Sequence, residues 1–432
     1  MSDGDAGPRR TDARRSDARR VVITGMGAVT SLGNDVASTW AGLIAGRSGV
    51  RRIEAYDPSR LASQIAGEVR DLDASGVMDR KDLRRTDRFI QLALVATRQA
   101  MDQAGLPARL EGDLAERTGT ILATGLGGVS TMFANVISFA ERGPDRIGPF
   151  MIPMGIPNMA AGQIPMTFGP LGPSFATVSA CASSGHALGE AFETIRRGDA
   201  DLMIAGGAEA ALHEALVGGF CAMKALSTRN DDPAAASRPF DKGRDGFVIA
   251  EGAGVVVLEA LESAQARGAQ VLAELVGYGA TADGYHLTLP APGGAGAVRA
   301  ARRALEKAGI SASDVDHVNA HATSTPEGDK TEIQAISTIL GERARHATVT
   351  ANKSMLGHTL GAAGAIEAIV TIQTIREGWV PPTLNLVDPE DGTGGLDVVA
   401  GVARRQDVRI AISNSFGFGG QNTALVLRRW ES

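Results

Sequence analysis

The segment Val178-Ser-Ala-Cys-Ala-Ser-Ser-Gly-His-Ala-Leu-Gly-Glu-Ala191 decides how the chain is read. A β-type run, Phe175 to Ala180, feeds straight into Cys181, and four small residues follow it, Ala182, Ser183, Ser184 and Gly185. Leu188, Phe192 and Ile195 then recur at helical spacing until Gly198 stops the helix. The thiol therefore stands where a strand turns into a helix. Free N–H groups at a helix start favour negative charge, so this position predicts a stabilised thiolate and a nucleophile.

Working outward, apolar β-type runs cover 21–29, 118–123, 201–210, 254–261, 273–280, 316–320, 348–351 and 409–415. Helical periods lie between most of them, as in 88–104 and 295–308. Strands alternating with helices predict an α/β protein with a mostly parallel sheet covered on both faces. Gly25-Met-Gly27 and Gly125-Leu-Gly-Gly128 lack the spacing of a dinucleotide fingerprint and read as close-approach turns. Gly277-Tyr-Gly-Ala280 echoes Gly25-Met-Gly-Ala28, too briefly to establish a repeat from sequence.

Composition narrows the function. The 432 residues carry a net charge of −6, which argues against non-specific nucleic-acid binding. Two cysteines, Cys181 and Cys221, give neither a disulfide framework nor a metal-ligand pattern, and predict a reduced, cytoplasmic protein. No apolar run reaches the ~20 residues of a membrane span. Residues 1–20 are charged, poor in apolar side chains and read as a disordered tail.

Two further segments repeat the strand-end logic of Cys181. In 318–329, a strand ends at Ala320, His321 follows, and Pro326 is suited to open a helix. In 351–368, Lys353 sits in a loop and His358 just before a long helix that carries Glu367, placed to pair with Lys353. A helix N-terminus opposes protonation of a neighbouring imidazole, so His358 is expected neutral and able to donate to a developing oxyanion. The turn 413–422 alternates Phe416 and Phe418 with glycines and can offer a backbone N–H towards the cysteine. Groups on separate strand ends converge on one rim of a sheet. The remaining histidines lack this setting.

Together, SACASSG around Cys181, STRNDDPAAASRPFDKGRDGFV at 227–248, NAHATSTPEGD around His321, NKSMLGH at 352–358 and NSFGFGG at 414–420 resemble the β-ketoacyl-acyl carrier protein synthases. The resemblance is to the elongating, type II branch of the thiolase superfamily and runs from about Val21 to Arg428. It implies the thiolase fold: a half over 21–269 with the nucleophile and a half over 270–432 with the histidines, stacked α-β-α-β-α in a homodimer. It implies a decarboxylative condensation in which Cys181 holds the acyl chain as a thioester and malonyl-acyl carrier protein supplies an enolate. His321 and His358 would stabilise that enolate, Lys353 and Glu367 would organise them, and the N–H groups of Cys181 and Phe418 would form an oxyanion hole. Phe418 would gate the site, while Leu126, Phe220, Thr323, Thr325 and Phe416 would contact substrate. No cofactor and no metal are implied.

The family often has His-Gly-Thr where this chain has His321-Ala322-Thr323, and Gly-Gly-Thr-Asn where it has Gly420-Gln421-Asn422; both bear on substrate fit. Arg80, Lys81, Arg84, Arg85 and Arg88 have i, i+4 spacing and are expected along one helix face, with Lys224 and Arg146 extending it, as a dock for an acidic carrier protein. A thiolase would place a second cysteine where Phe418 stands, and initiating or chalcone-type synthases an asparagine at the end of NKSMLGH. A chain-length-factor subunit would lack the reactive cysteine, and a cysteine hydrolase gains nothing from NKSMLGH. Fatty-acid elongation, polyketide or polyene assembly, and an inhibitor-tolerant duplicate synthase all use this set of groups.

Overall fold

The computed structural model describes residues 19–431. Its main sheet contains β1 (Val21–Val29), β2 (Thr118–Ala123), β3 (Ser174–Phe175), β4 (Leu202–Glu209), β5 (Gly252–Ala260), β6 (Ala273–Ala282), β7 (His317–Asn319), β8 (Thr348–Thr350), β9 (Asp397–Val398), β10 (Ile410–Gly417) and β11 (Gln421–Arg428). The helices that bear on core and site are α1 (Arg88–Gln103), α2 (Val129–Arg142), α3 (Met159–Phe168), α4 (Ser183–Arg197), α5 (Glu214–Ala222), α6 (Ala295–Ala308), α7 (Pro326–Leu340) and α8 (Ala363–Glu377).

The strand order is β9-β8-β7-β10-β11-β6-β1-β5-β4-β2-β3. Read outward from the central β1–β6 contact, the two wings follow one rule. In β1-β5-β4-β2-β3 the first two pairings are antiparallel and the next two parallel. In β6-β11-β10-β7-β8 the same sequence of pairings recurs. The brief glycine echo is part of this duplication. A Cβ on Gly25 or Gly27 of β1 would lie 2.0 or 1.9 Å from a carbonyl of α1. On Gly277 or Gly279 of β6 it would lie 2.2 or 2.0 Å from a carbonyl of α6. Glycine lets each helix lie directly on its strand. The first pair are thus strand residues, not the turn that the sequence suggested, because β1 continues to Val29.

Helices α4 and α8 pack together between the wings, α4 against β4 and β2, α8 against β10 and β5. Helices α1 and α3 cover the outer face of the first wing; α6 and α7 cover that of the second. This is the five-layered α-β-α-β-α stack. Its central position explains α8, in which every residue from Ala363 to Ile375 is buried. A helix enclosed on all sides needs no polar face.

Three expectations need correction here. The sheet is not mostly parallel: the five pairings from β10 through β11, β6, β1 and β5 to β4 are antiparallel, and only the five towards the two edges are parallel. The run before Cys181 is strand only at Ser174–Phe175; Ala176–Ala180 form a loop whose last residue has φ 48°. The tail was expected to extend through residue 20, and residues 1–18 lie outside the described residues. Arg19, however, pairs with Asp201 at 2.7 Å and also with Glu262, and Arg20 pairs with Glu274 at 2.7 Å. Two ion-paired arginines thus tie the start of β1 to the core. Among the described residues, no helix is long and apolar enough to cross a membrane.

Candidate active site

Cys181 occupies the turn into α4, two residues before its first helical position. It is 9% exposed and lines a cavity of about 540 Å³. His321 and His358 line the same cavity. Nε2 of His358 lies 2.9 Å from Sγ of Cys181. The two imidazole rings stand 5.4 Å apart, nearly perpendicular. Residues far apart in sequence, from the ends of both wings, thus share one site.

Backbone strain marks each approach. Ala180 before the cysteine, Ala322 after His321 and Leu360 after His358 have φ of 48°, 25° and 45°. Such values are uncommon for residues with a Cβ and cluster at functional sites. Ala322 stands where the resembled family often has glycine, the residue this geometry favours.

Each histidine is held by its backbone. His358 N–H donates to the Val248 carbonyl at 2.7 Å, and Ala250 N–H donates to the His358 carbonyl at 2.9 Å. The glycine-rich segment before β5 therefore fixes His358. Phe247 of that segment meets the His358 ring edge-on at 5.3 Å. The N–H groups of His321 and Ala322 donate to the Glu332 carboxylate at 2.8 and 2.6 Å. Asp329, one turn earlier on α7, accepts from Ser324 N–H at 3.0 Å and Phe240 N–H at 2.9 Å. Sequence reasoning missed these carboxylates and Phe247. The available signal was their i, i+3 spacing behind Pro326, which puts both acids on one helix face.

Lys353, 2% exposed, forms a buried ion pair with Glu367, as expected. Its Nζ is also 3.4 Å from Nδ1 of His321. An ammonium can only donate, so His321 Nδ1 accepts and the ring hydrogen of neutral His321 sits on Nε2. The donor atoms of Cys181, His321 and His358 lie within 4.8 Å of one another, close enough to be considered a metal set. The His321 tautomer instead offers an N–H, which suits an oxyanion and not a cation.

The protonation state differs from the sequence expectation for sulfur and agrees for His358, though burial and the Lys353 charge, not the helix start, hold that ring neutral. Burial pushes the Cys181 thiol up to about 12, against smaller lowering by the Lys353 charge and by the N–H groups of Phe418 and Cys181 itself. The resting group is a thiol; desolvation outweighs the helix start. Burial also holds both imidazoles well below their usual range, reinforced for each by the Lys353 charge.

The other expected residues divide. Leu126, Phe220, Thr323, Thr325, Phe416, Phe418 and Lys224 all border the cavity. Phe416 packs against His321 at 5.6 Å, and Phe220 against Phe247 at 5.4 Å. Phe418 is 36% exposed at the mouth, followed by Gly419 and Gly420 with φ of 86° and 72°. The basic stretch does not form one helix face. Arg80–Leu83 is a single turn, separated from α1 by a break at 84–87. Arg80, Lys81, Arg84 and Arg85 are exposed, whereas Arg88 forms a two-pronged pair with Glu251 at 2.6 and 2.7 Å. Asp87 caps α1 through Phe89 N–H and breaks the run, so Arg88 is an anchor of the fold. Arg146 is exposed as well.

A duplicated α/β stack enclosing a Cys–His–His centre defines the ketosynthase class of thiolase-fold enzymes, and the chain belongs to the β-ketoacyl synthase family. The family's N-terminal domain, "Beta-ketoacyl synthase, N-terminal domain", matches residues 18–264, and its C-terminal domain matches 272–387. The chain is 47% identical over 417 residues to "3-oxoacyl-[acyl-carrier-protein] synthase 2" of Staphylococcus aureus strain N315, covering 96% of this chain and 100% of that protein. It is 46% identical over 415 residues to the protein of the same name from Synechocystis sp., covering 96% and 99%. Among solved structures, a β-ketoacyl synthase from Burkholderia phymatum superposes with a TM-score of 0.89 at 37% identity, covering 96% of this chain and 100% of that one. A "type II PKS acyl-carrier protein in complex with its ketosynthase bound to the hexaketide" superposes with a TM-score of 0.88 at 33% identity and the same coverage.

Proposed function

We propose that the protein elongates acyl chains by decarboxylative condensation with malonyl-acyl carrier protein, in fatty-acid synthesis. The carrying observation is the 2.9 Å approach of His358 to the Cys181 sulfur inside a cavity shared with His321. In the first half-reaction Cys181 attacks the carrier thioester. The new C–S bond replaces the old one, and the thiol proton leaves with the departing carrier thiol. In the second, malonyl carrier protein loses carbon dioxide, and its thioester oxygen gains the negative charge of an enolate. Neutral His321 and His358 donate N–H to that oxygen, the arrangement that stabilises developing charge without transferring a proton. The enolate carbon attacks the acyl-cysteine carbonyl, whose oxygen faces the N–H groups of Cys181 and Phe418. Collapse releases a 3-oxoacyl carrier protein two carbons longer, and the sulfur regains a proton from solvent.

Lys353, held by Glu367, fixes the His321 tautomer, and its positive charge adds to burial in keeping both rings uncharged. Phe418 gates the entrance; Leu126 and Phe220 line the acyl side, and Thr323, Thr325 and Phe416 the malonyl side. An acidic carrier protein docks on Arg80, Lys81, Arg84 and Arg85, with Lys224 at the cavity mouth. The division into 21–269 and 270–432 is supported by the matched strand orders. A homodimer is supported by the open edge at β3 and by exposed Val136, Ile137 and Phe139 on α2. A reducing, cytoplasmic setting accords with Cys181 and Cys221 as free thiols. Fatty-acid elongation is preferred over polyketide assembly because identity is higher to the synthase 2 proteins than to the polyketide ketosynthase.

The test is condensation with acyl- and malonyl-loaded carrier protein, using donors of graded length and Cys181→Ala as control. The reading expects one-step elongated 3-oxoacyl product from saturated donors. Product only from polyketide-type donors would favour the alternative, and product from the Cys181→Ala variant would overturn the mechanism.

A further inference from the structure

Glu209 ends β4 with its side chain fully buried, and the reaction described above does not use it. Its carboxylate accepts four hydrogen bonds, two on each oxygen. Thr124 Oγ1 and Leu126 N–H reach Oε1 at 2.9 and 3.2 Å. Gly125 N–H and Gly361 N–H reach Oε2 at 2.6 and 3.0 Å. Three donors belong to the turn that carries Leu126 into the cavity; the fourth belongs to the segment that follows His358. The two segments touch: a Cβ on Gly361 would lie 2.1 Å from Gly125 N and 2.5 Å from the Thr124 carbonyl carbon. Three of the four neighbours are backbone N–H groups that can only donate, while the Thr124 hydroxyl can also accept. Burial raises Glu209 to about 7, against the lowering by these donors.

We propose that Glu209 is a positioning residue for acyl-chain length, clamping the Leu126 turn against the His358 segment so that Leu126 keeps a fixed place relative to the Cys181 sulfur. This rests on the acyl-pocket reading given above. The physical reason is rigidity. A pocket discriminates chain lengths only while its wall cannot retreat, and one carboxylate shared by two segments prevents that retreat. A carboxamide reproduces the clamp only in part, because on either side its NH₂ faces at least one backbone N–H, Leu126 at one position or Gly125 and Gly361 at the other.

The experiment measures kcat/KM over saturated acyl donors of graded length, with acyl loading on Cys181 read by intact mass. Glu209→Gln is expected to flatten the profile, shifting the long-to-short ratio by roughly tenfold, within the range that a pocket wall commands. Thr124→Val, which removes one donor to Oε1, should shift it in the same direction by less, and Thr124→Ser should restore the original profile. A uniform fall at all lengths, or an unchanged profile, in Glu209→Gln overturns the proposal. If that variant does not fold, Thr124→Val decides in the same way. Failure of the unaltered protein to load any acyl chain would instead defeat the underlying reading.

Discussion

His358 Nε2 stands 2.9 Å from Cys181 Sγ, and burial sets the protonation of both groups. The ring is held neutral and the sulfur is held as a thiol. This pairing therefore differs from a preformed thiolate–imidazolium pair. Alkylation by iodoacetamide is expected to keep accelerating with pH beyond 9, where an ordinary cysteine has largely ionised, because the thiol is pushed up to about 12. A rate that plateaus near neutral pH would contradict the structure and restore the helix-start argument.

The histidines give a second pH signature. Both lie well below their usual range, so neither gains a proton as pH falls through about 6.5. Malonyl decarboxylation should show no imidazole titration between pH 7.5 and 5.5; Glu367 and Glu332, which burial raises to about 7, are groups that titrate in that window. A loss with an apparent midpoint near 6.5 that persists in Glu367→Gln would show that an ordinary imidazole controls the step.

The Lys353–Glu367 pair is buried on both sides. Removing Lys353 alone strands a carboxylate in the interior. Lys353→Ala is expected to cost about 3–5 kcal/mol of unfolding free energy. Glu367→Ala in addition should recover part of it, read as a coupling term in a double-mutant cycle. Additive losses would mean that the pair acts independently of its charges.

Carrier docking is testable at Arg84, whose side chain is exposed; Arg85 also covers the Phe150 ring at 4.8 Å, so its loss would mix charge with packing. Arg84→Glu should raise KM for carrier-bound substrate severalfold and leave small acyl thioesters unaffected, most clearly at low salt. Equal effects on both substrates would sink the docking surface.

The longer central strands were legible because they are buried along most of their length and read as apolar stretches, as in Val21–Val29 and Gly252–Ala260. The extent of β1, 21–29, was legible too, but the role of Gly25 and Gly27 was not: they look like a turn until α1 is seen lying on them. Cys181, His321, His358 and Lys353 were legible as strand-end residues. Glu209, Asp329 and Glu332 were not, because each acts on backbone N–H groups that no side-chain pattern advertises. The basic run misled for a local reason. Its spacing fits one helix face, but Asp79 and Asp87 each cap a separate helix and split it.

The most direct measurement is carbon dioxide release from malonyl carrier protein by Cys181→Gln, compared with the same variant carrying His321→Ala or His358→Ala. The account predicts release without condensation in the single variant, and a fall of at least about a hundredfold when either imidazole is removed. Undiminished release after loss of either ring would contradict the claim that both stabilise the enolate.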